Sequence, residues 1–183
     1  MKKLLFSTLI SGFILVGCKS SEDNETTQNG KVTLHFEIQI KAAPEVVYRS
    51  IIDSNYFQQW TSVFSSTSHY KGTWEKGSKI QFLSIDENGN TTGLVSKIRE
   101  NIANKHISIE HYGFIKNGEE ITESEEVRIL QGSFENYALI QKGDITELHV
   151  DSDTFSENRE FFHETWPKAL EMLKNICESQ DSN

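Results

Sequence analysis

The chain has 183 residues, a hydrophobic fraction of 36% and a formal net charge of −9. This length favours one domain with short appendages, and the apolar content is sufficient for a packed core. The acidic balance repels nucleic-acid phosphates and disfavours binding through a basic patch, so we predict no nucleic-acid partner. The sequence has neither a His-Glu-x-x-His motif nor a paired-cysteine spacing, and we therefore predict no metal site and no cofactor.

The N-terminal segment has the order of a secretory signal. Two lysines precede an apolar run, residues 4–16, that is too short for a comfortable membrane span. The run ends in Leu-Val-Gly-Cys at positions 15–18, which resembles a bacterial lipobox, where the signal is cut before a cysteine that then receives lipid. We predict that residues 1–17 are a signal peptide and that Cys18 is the lipid-attachment residue. This predicts a protein of the bacterial cell envelope, anchored to the outer membrane on its periplasmic or surface face.

Residues 18–30 are predicted to form the lipidated cysteine and a flexible acidic tether. The stretch Lys19–Gly30 contains no large apolar residue, so it cannot contribute to a core. If Cys18 carries lipid, Cys177 has no intramolecular disulfide partner. We expect Cys177 to act as a small hydrophobic residue.

The folded domain is predicted to begin at Lys31, where apolar and polar residues alternate strictly as far as Ile40. A period of two is typical of a strand with one buried face. Pro44 follows at a position suited to the first turn of a helix. The sequence Asp-Ser-Asn at 53–55 is expected to end that helix and to cap a second short helix, Tyr56 to Trp60.

The middle of the chain has the pattern of an antiparallel sheet. Short apolar segments are separated by turn signals, including an Asn-Gly pair at positions 88–89. A polar, acidic stretch from Asn117 to Glu126 is predicted to be a long hairpin tip. The candidate strands are Lys79 to Ile85, Thr91 to Glu100, Lys105 to Ile115, Ser133 to Gln141 and Asp144 to Val150.

The last long segment, Glu157 to Glu178, carries its apolar residues at helical spacing. This pattern predicts one long amphipathic helix whose apolar stripe needs a sheet to pack against. Pro167 removes a helix N–H and is expected to kink the helix or to start a new segment. Residues 179–183 are predicted to be a disordered C-terminal tail.

Several motifs, in this order, resemble the START-like (SRPBCC) superfamily. They are AAPEVVYRSIIDSNYFQQW at 42–60, WEKGS at 74–78, HYGFIKNG at 111–118, ENY at 135–137 and TWPKAL at 165–170. The resemblance is strongest to the branch related to the activator of a heat-shock-protein ATPase, and it covers residues 31–178 as one domain. It implies an α+β helix-grip fold, with a curved antiparallel sheet wrapped around the long C-terminal helix and two short helices after the first strand.

The resemblance also implies an apolar cavity between the sheet and the C-terminal helix. Strand parity turns His111 toward this cavity and places Glu135 at its rim, although each aromatic residue could instead simply fill the core. The residues expected to line the cavity are Trp60, Phe64, Trp74, Phe82, His111, Glu135, Tyr137, Phe162, Trp166 and Leu170.

Two classes of function follow. In the first, a lipid-anchored, noncatalytic and monomeric domain binds or carries a small hydrophobic molecule or lipid, and no residue is assigned as catalytic. In the alternative, a cyclase- or hydrolase-like enzyme uses His111, Glu135 or Tyr137 as acid and base. A chaperone-activating role conflicts with export, because that partner is cytosolic.

Overall fold

The computed structural model describes residues 27–28 and 30–180. The predicted signal peptide, Cys18, most of the tether and residues 181–183 lie outside the described residues. Within the part of the chain that is described, no helix is both long enough and apolar enough to cross a membrane.

A nine-stranded antiparallel sheet forms most of the domain. Its strands lie in the order β1-β2-β9-β8-β6-β5-β4-β3, and β7 pairs separately with β6. The strands are β1 (Thr27–Gln28), β2 (Lys31–Ile40), β3 (His69–Gly72), β4 (Lys79–Ile85), β5 (Thr91–Ile102), β6 (His106–Lys116), β7 (Glu119–Ile121), β8 (Ser133–Lys142) and β9 (Ile145–Phe155). The predicted antiparallel sheet is confirmed.

The alternation in β2 produces the expected two-faced strand. Val32, Leu34 and Ile40 are buried, whereas His35 is exposed. The strand pairs with β9 along its whole length, and their backbone hydrogen bonds connect the beginning of the domain to its last strand. This long-range pairing adds β2 to the sheet, where it lies against the C-terminal helix.

Two short helices follow β2, as predicted: α1 (Pro44–Ile52) and α2 (Ser54–Trp60), the latter continued by a 3₁₀ turn at Thr61–Val63. Pro44 occupies the first turn of α1, where its missing N–H has no helical partner to lose. The Asp53 carboxylate accepts hydrogen bonds from the backbone N–H groups of Asn55 (2.9 Å) and Tyr56 (3.3 Å) and so caps α2. The Asp53 cap fixes the start of α2 directly after α1, and α2 ends with Trp60 in the core.

The long C-terminal helix α4 (Arg159–Gln180) is preceded by a 3₁₀ turn at Ser156–Asn158. Its apolar stripe is buried as predicted, with the side chains of Trp166, Leu170 and Leu173 almost fully excluded from solvent. The helix continues through Pro167 without a break, so a new segment does not begin there. The predicted tail is also too long, because Gln180 is helical and bonds to Arg49 and Ser50 of α1.

The prediction of a long hairpin tip from Asn117 to Glu126 is correct only in part, because β7 forms a hairpin with β6 across a short turn. The segment contains strand β7 and leads into a short helix, α3 (Glu125–Leu130). Ser124 caps α3, its hydroxyl accepting the N–H of Val127 at 3.1 Å. Val127 and Leu130 lie one turn apart and are both buried, which gives this otherwise acidic stretch enough apolar contact to fold.

The β5–β6 pair is bent by two irregularities, which lie between Val95 and Ser96 and between Ile98 and Glu100. Such bulges increase the local twist of a sheet and redirect side chains. At Gly93 the neighbouring strand passes so close that a Cβ atom would lie 2.0 Å from the Phe82 carbonyl oxygen. Only glycine fits at this position, where the sheet curves around the helix.

Candidate ligand cavity

A cavity of about 310 Å³ lies between the N-terminal half of α4, helix α2 and strands β4, β5, β6 and β8. This volume is roughly twice that of an engineered cavity of about 150 Å³ that binds benzene. Seven of the predicted residues line the cavity: Trp60, Phe64, Phe82, His111, Glu135, Phe162 and Trp166. Phe57 and Phe161, which were not predicted to line the cavity, complete the aromatic wall. The lining also includes small polar residues that were not predicted: Thr61, Ser65, Ser68 and Ser84.

Three residues predicted to line the cavity lie behind its wall instead. Trp74 packs edge-on against Phe82, with ring centroids 5.8 Å apart, and so lies one layer further from the cavity. Leu170 lies one helical turn beyond Trp166 and is buried in the core. Tyr137 is 1% exposed and packs beneath Trp166, with ring centroids 6.3 Å apart, so its ring lies in the core although it shares its strand face with Glu135.

Trp166 is the centre of the aromatic packing. Its ring centroid lies 5.2 Å from that of Phe64, 5.8 Å from Phe36, 6.2 Å from Trp60 and 6.3 Å from Tyr137. These partners come from the 3₁₀ turn region, two strands and helix α2. One side chain of α4 therefore joins the helices to the sheet and forms part of the cavity wall.

The indole N–H groups of Trp60, Trp74 and Trp166 are buried and have no hydrogen-bond partner among the described residues. A buried donor without an acceptor costs about 1–3 kcal/mol. Two of these indoles belong to residues that line the cavity. The nitrogen atoms themselves are shielded from solvent, so these N–H groups lie within the packed part of the wall.

Glu135 brings a carboxyl group to the cavity from β8. The Tyr137 hydroxyl donates a hydrogen bond to its Oε1 atom. Burial raises the pKa of Glu135 to about 7, and the bond from Tyr137 only partly opposes that effect. This carboxyl group therefore changes its charge near neutral pH.

His111 faces the same cavity from β6, and its Nδ1 atom lies 2.8 Å from the hydroxyl oxygen of Ser96 on β5. Burial lowers the pKa of His111 to about 4, and the distant charge of Asp153 opposes this only weakly. The imidazole is therefore neutral at pH 7. The bulge beside Ser96 brings these two side chains together, a feature that strand periodicity does not reveal.

A separate group on the outer surface has the geometry of a possible metal site. Glu37, Glu147 and His149 each offer a ligand atom, and these atoms lie within 4.8 Å of one another. The Lys142 ammonium, however, already bonds both Glu147 carboxylate oxygens, at 2.8 and 2.7 Å, and it lowers the pKa of that carboxyl to about 2 together with His149. The carboxylate therefore already has a cationic partner, and we assign no metal to this group.

The curved antiparallel sheet, the two short helices, the long C-terminal helix and the cavity between them define a START-like, helix-grip domain of the α+β class. Within that class, the profile of the family described as Activator of Hsp90 ATPase homolog 1-like protein matches residues 41–178. The chain belongs to this family.

Solved structures share the fold at low sequence identity. Protein NE0264 from Nitrosomonas europaea has a TM-score of 0.59 at 12% identity, covering 82% of this chain and 97% of its own. The Aha1 dimer from Colwellia psychrerythraea has a TM-score of 0.58 at 22% identity, and the match covers 80% of this chain and 96% of the Aha1 chain. EF2215 from Enterococcus faecalis has a TM-score of 0.58 at 15% identity, and the match covers 87% of this chain and 79% of the EF2215 chain. No curated protein matches the chain.

Proposed function

We propose that this protein is a noncatalytic binding domain that holds a small apolar ligand in the cavity between α4 and the sheet. The observation that carries the proposal is the cavity itself, about 310 Å³ and walled by aromatic side chains. Concave, mostly apolar sites with a few polar groups are typical of small-molecule binding. The volume suits a compound of one or two rings and is too small for a whole diacyl lipid.

The side chains near the cavity favour binding over covalent chemistry. Of the described residues that line it, none is cysteine or lysine. The serine that lies beside a histidine is Ser96, which is fully buried and does not line the cavity. A nucleophile must reach the reacting atom of its substrate, and this hydroxyl is not placed to do so.

We expect 2-(1-naphthyl)ethanol, a neutral two-ring probe, to bind saturably with a Kd of roughly 10–100 µM. The measurement is isothermal titration calorimetry on a chain that begins at Lys19, which retains every described residue. Replacing Leu94, which lines the cavity, with Trp should weaken binding at least tenfold by filling the space.

The matched control is Ile102→Trp, on the same strand but 45% exposed and outside the cavity lining. It should bind the probe as the unmodified chain does. Equal loss of binding in both variants, or no saturable binding to the unmodified chain, would contradict the proposal.

We also propose that Cys18 carries lipid and holds the domain at the outer membrane of a bacterial cell envelope. The support is the order of two lysines, an apolar run and the lipobox-like residues 15–18. A multiply acylated cysteine is a durable anchor because each buried methylene contributes about 0.8 kcal/mol. In the Cys18→Ser variant we expect the protein to leave the lipid-anchored membrane fraction. A variant that remains membrane-bound with an unchanged mass would exclude the anchor.

A second candidate function, a cyclase- or hydrolase-like enzyme, is favoured by Glu135. A cavity carboxyl with a pKa near neutrality is suited to general acid–base catalysis. Native mass spectrometry separates the two functions. If the unmodified protein converts the compound recovered from Glu135→Gln into the one recovered from the unmodified protein, the domain is an enzyme, whereas no conversion would indicate binding.

A further inference from the structure

The cavity is an apolar chamber with a single acidic group and no compensating cation. Of the described residues that line it, Glu135 is the acid and none is lysine or arginine. His111, the other titratable group of the lining, is neutral at pH 7 because burial depresses its pKa to about 4. Any charge in the empty cavity is therefore negative.

The Glu135 carboxyl is only half satisfied by the protein. Its Oε1 atom accepts the Tyr137 hydroxyl, and within residues 30–180 no hydrogen bond or ion pair reaches Oε2. Across the sheet, its register neighbours are the uncharged residues Ile109 on β6 and Ser152 on β9. Glu135 is partly buried, and a carboxylate shielded from water is costly unless it is paired with an opposite charge or saturated with hydrogen bonds, so this site favours a partner that supplies both.

The surrounding wall is largely aromatic, a composition suited to binding cations. The Trp166 ring lies 6.2 Å from the ring of Trp60 and 5.2 Å from that of Phe64, measured between centroids, and all three residues line the cavity. The face of an aromatic ring is the negative end of its quadrupole, and aromatic walls bind ammonium groups for this reason. An anionic ligand such as a fatty acid would instead meet the Glu135 charge without a counter-ion.

We propose that the ligand of this cavity is an amine: a compound of one or two apolar rings whose protonated nitrogen pairs with the free oxygen of Glu135. This inference rests on the proposed apolar-ligand function and adds the chemical class. The acid selects the charge, and the aromatic walls accommodate both the rings and the methylene groups next to the nitrogen.

The test compares three probes of nearly equal size: 2-(1-naphthyl)ethylamine, 2-(1-naphthyl)ethanol and 1-naphthaleneacetate. Calorimetric titrations are run at pH 8.5, where Glu135 is ionised and the amine is still mostly protonated, on the chain that begins at Lys19. We expect the amine to bind at least tenfold more tightly than the alcohol, and the carboxylate at least tenfold more weakly. In Glu135→Gln, which retains an acceptor for the Tyr137 hydroxyl, the amine should fall to the affinity of the alcohol while alcohol binding changes less than threefold.

Because the whole chain is acidic, a control must separate Glu135 from general attraction. Glu171→Gln removes one negative charge from the exposed face of α4 and should leave the amine preference intact. If all three probes bind equally, or if Glu135→Gln keeps the preference, the amine inference fails while the apolar-ligand function stands. If none of the probes binds, the proposed function fails and this inference fails with it.

Discussion

Trp166→Ala is expected to lower the free energy of unfolding by about 3–5 kcal/mol, a large part of the roughly 5–15 kcal/mol that stabilises a domain. The ring is 2% exposed and contacts four other aromatic rings, which belong to both helices and sheet. Its removal would leave a void between α4 and the sheet that the neighbouring rings cannot fill without leaving their own contacts. Equilibrium denaturation by urea measures the effect.

The control for this variant is Glu171→Ala, on the exposed face of the same helix. It should change the free energy of unfolding by no more than about 0.5 kcal/mol. If Trp166→Ala is as mild as Glu171→Ala, helix α4 does not close the core and the cavity loses its wall. If Trp166→Ala is severe, the conservative Trp166→Phe variant separates folding from binding, because weaker probe binding with intact stability would place the indole at the ligand.

The two titratable groups of the cavity should affect stability in opposite directions as the pH changes. His111 has a pKa of about 4 in the folded chain against an ordinary 6.5, so its contribution is complete above pH 6.5 and is lost as the pH falls toward 4. Glu135 has a pKa of about 7 against an ordinary 4.5, so the folded chain is favoured below pH 4.5 and loses stability as the pH rises toward 7. Each effect corresponds to about 3 kcal/mol.

We therefore expect a substitution of either residue to remove its own contribution to the pH dependence of the free energy of unfolding. The contribution of the other residue then remains. Relative to the unmodified chain, Glu135→Gln should gain about 3 kcal/mol between pH 4.5 and 7, and His111→Gln should gain about as much between pH 6.5 and 4. Both glutamines can keep the existing hydrogen bonds to Tyr137 and Ser96. The measurement is urea unfolding at half-unit pH intervals. Differences from the unmodified chain that do not change with pH would show that neither group titrates abnormally.

The elements that could be predicted from the sequence are those whose pattern has one interpretation. The strict alternation from Lys31 to Ile40 permits a single register for burial, and β2 has those bounds. The stripe of α4 is similarly clear, because Trp166, Leu170 and Leu173 recur at helical spacing. The Asp53 cap could also be predicted, because a short acceptor side chain at the residue before a helix is a local signal for capping its first N–H groups.

The errors concern features that depend on distant parts of the chain. Helix α3 is stabilised by burying Val127 and Leu130, and an acidic surrounding sequence conceals that pair. Whether an aromatic ring lines the cavity or lies behind it also depends on packing depth, which periodicity does not encode. For this reason Trp74 and Tyr137 were predicted to line the cavity, although each packs one layer behind its wall. The bulge that brings Ser96 to His111 is likewise a property of strand pairing rather than of either strand alone.

The distribution of the three tryptophans makes the domain a natural optical reporter. Trp60 and Trp166 line the cavity, while Trp74 packs behind it against Phe57 and Phe82. All three indoles are shielded from water, so the empty protein should emit at short wavelengths for tryptophan. A ligand that absorbs no near-ultraviolet light would contact two of the three emitters and so change the fluorescence of the protein. Occupancy of the cavity could thus be followed by fluorescence alone, without a label and without altering the chain.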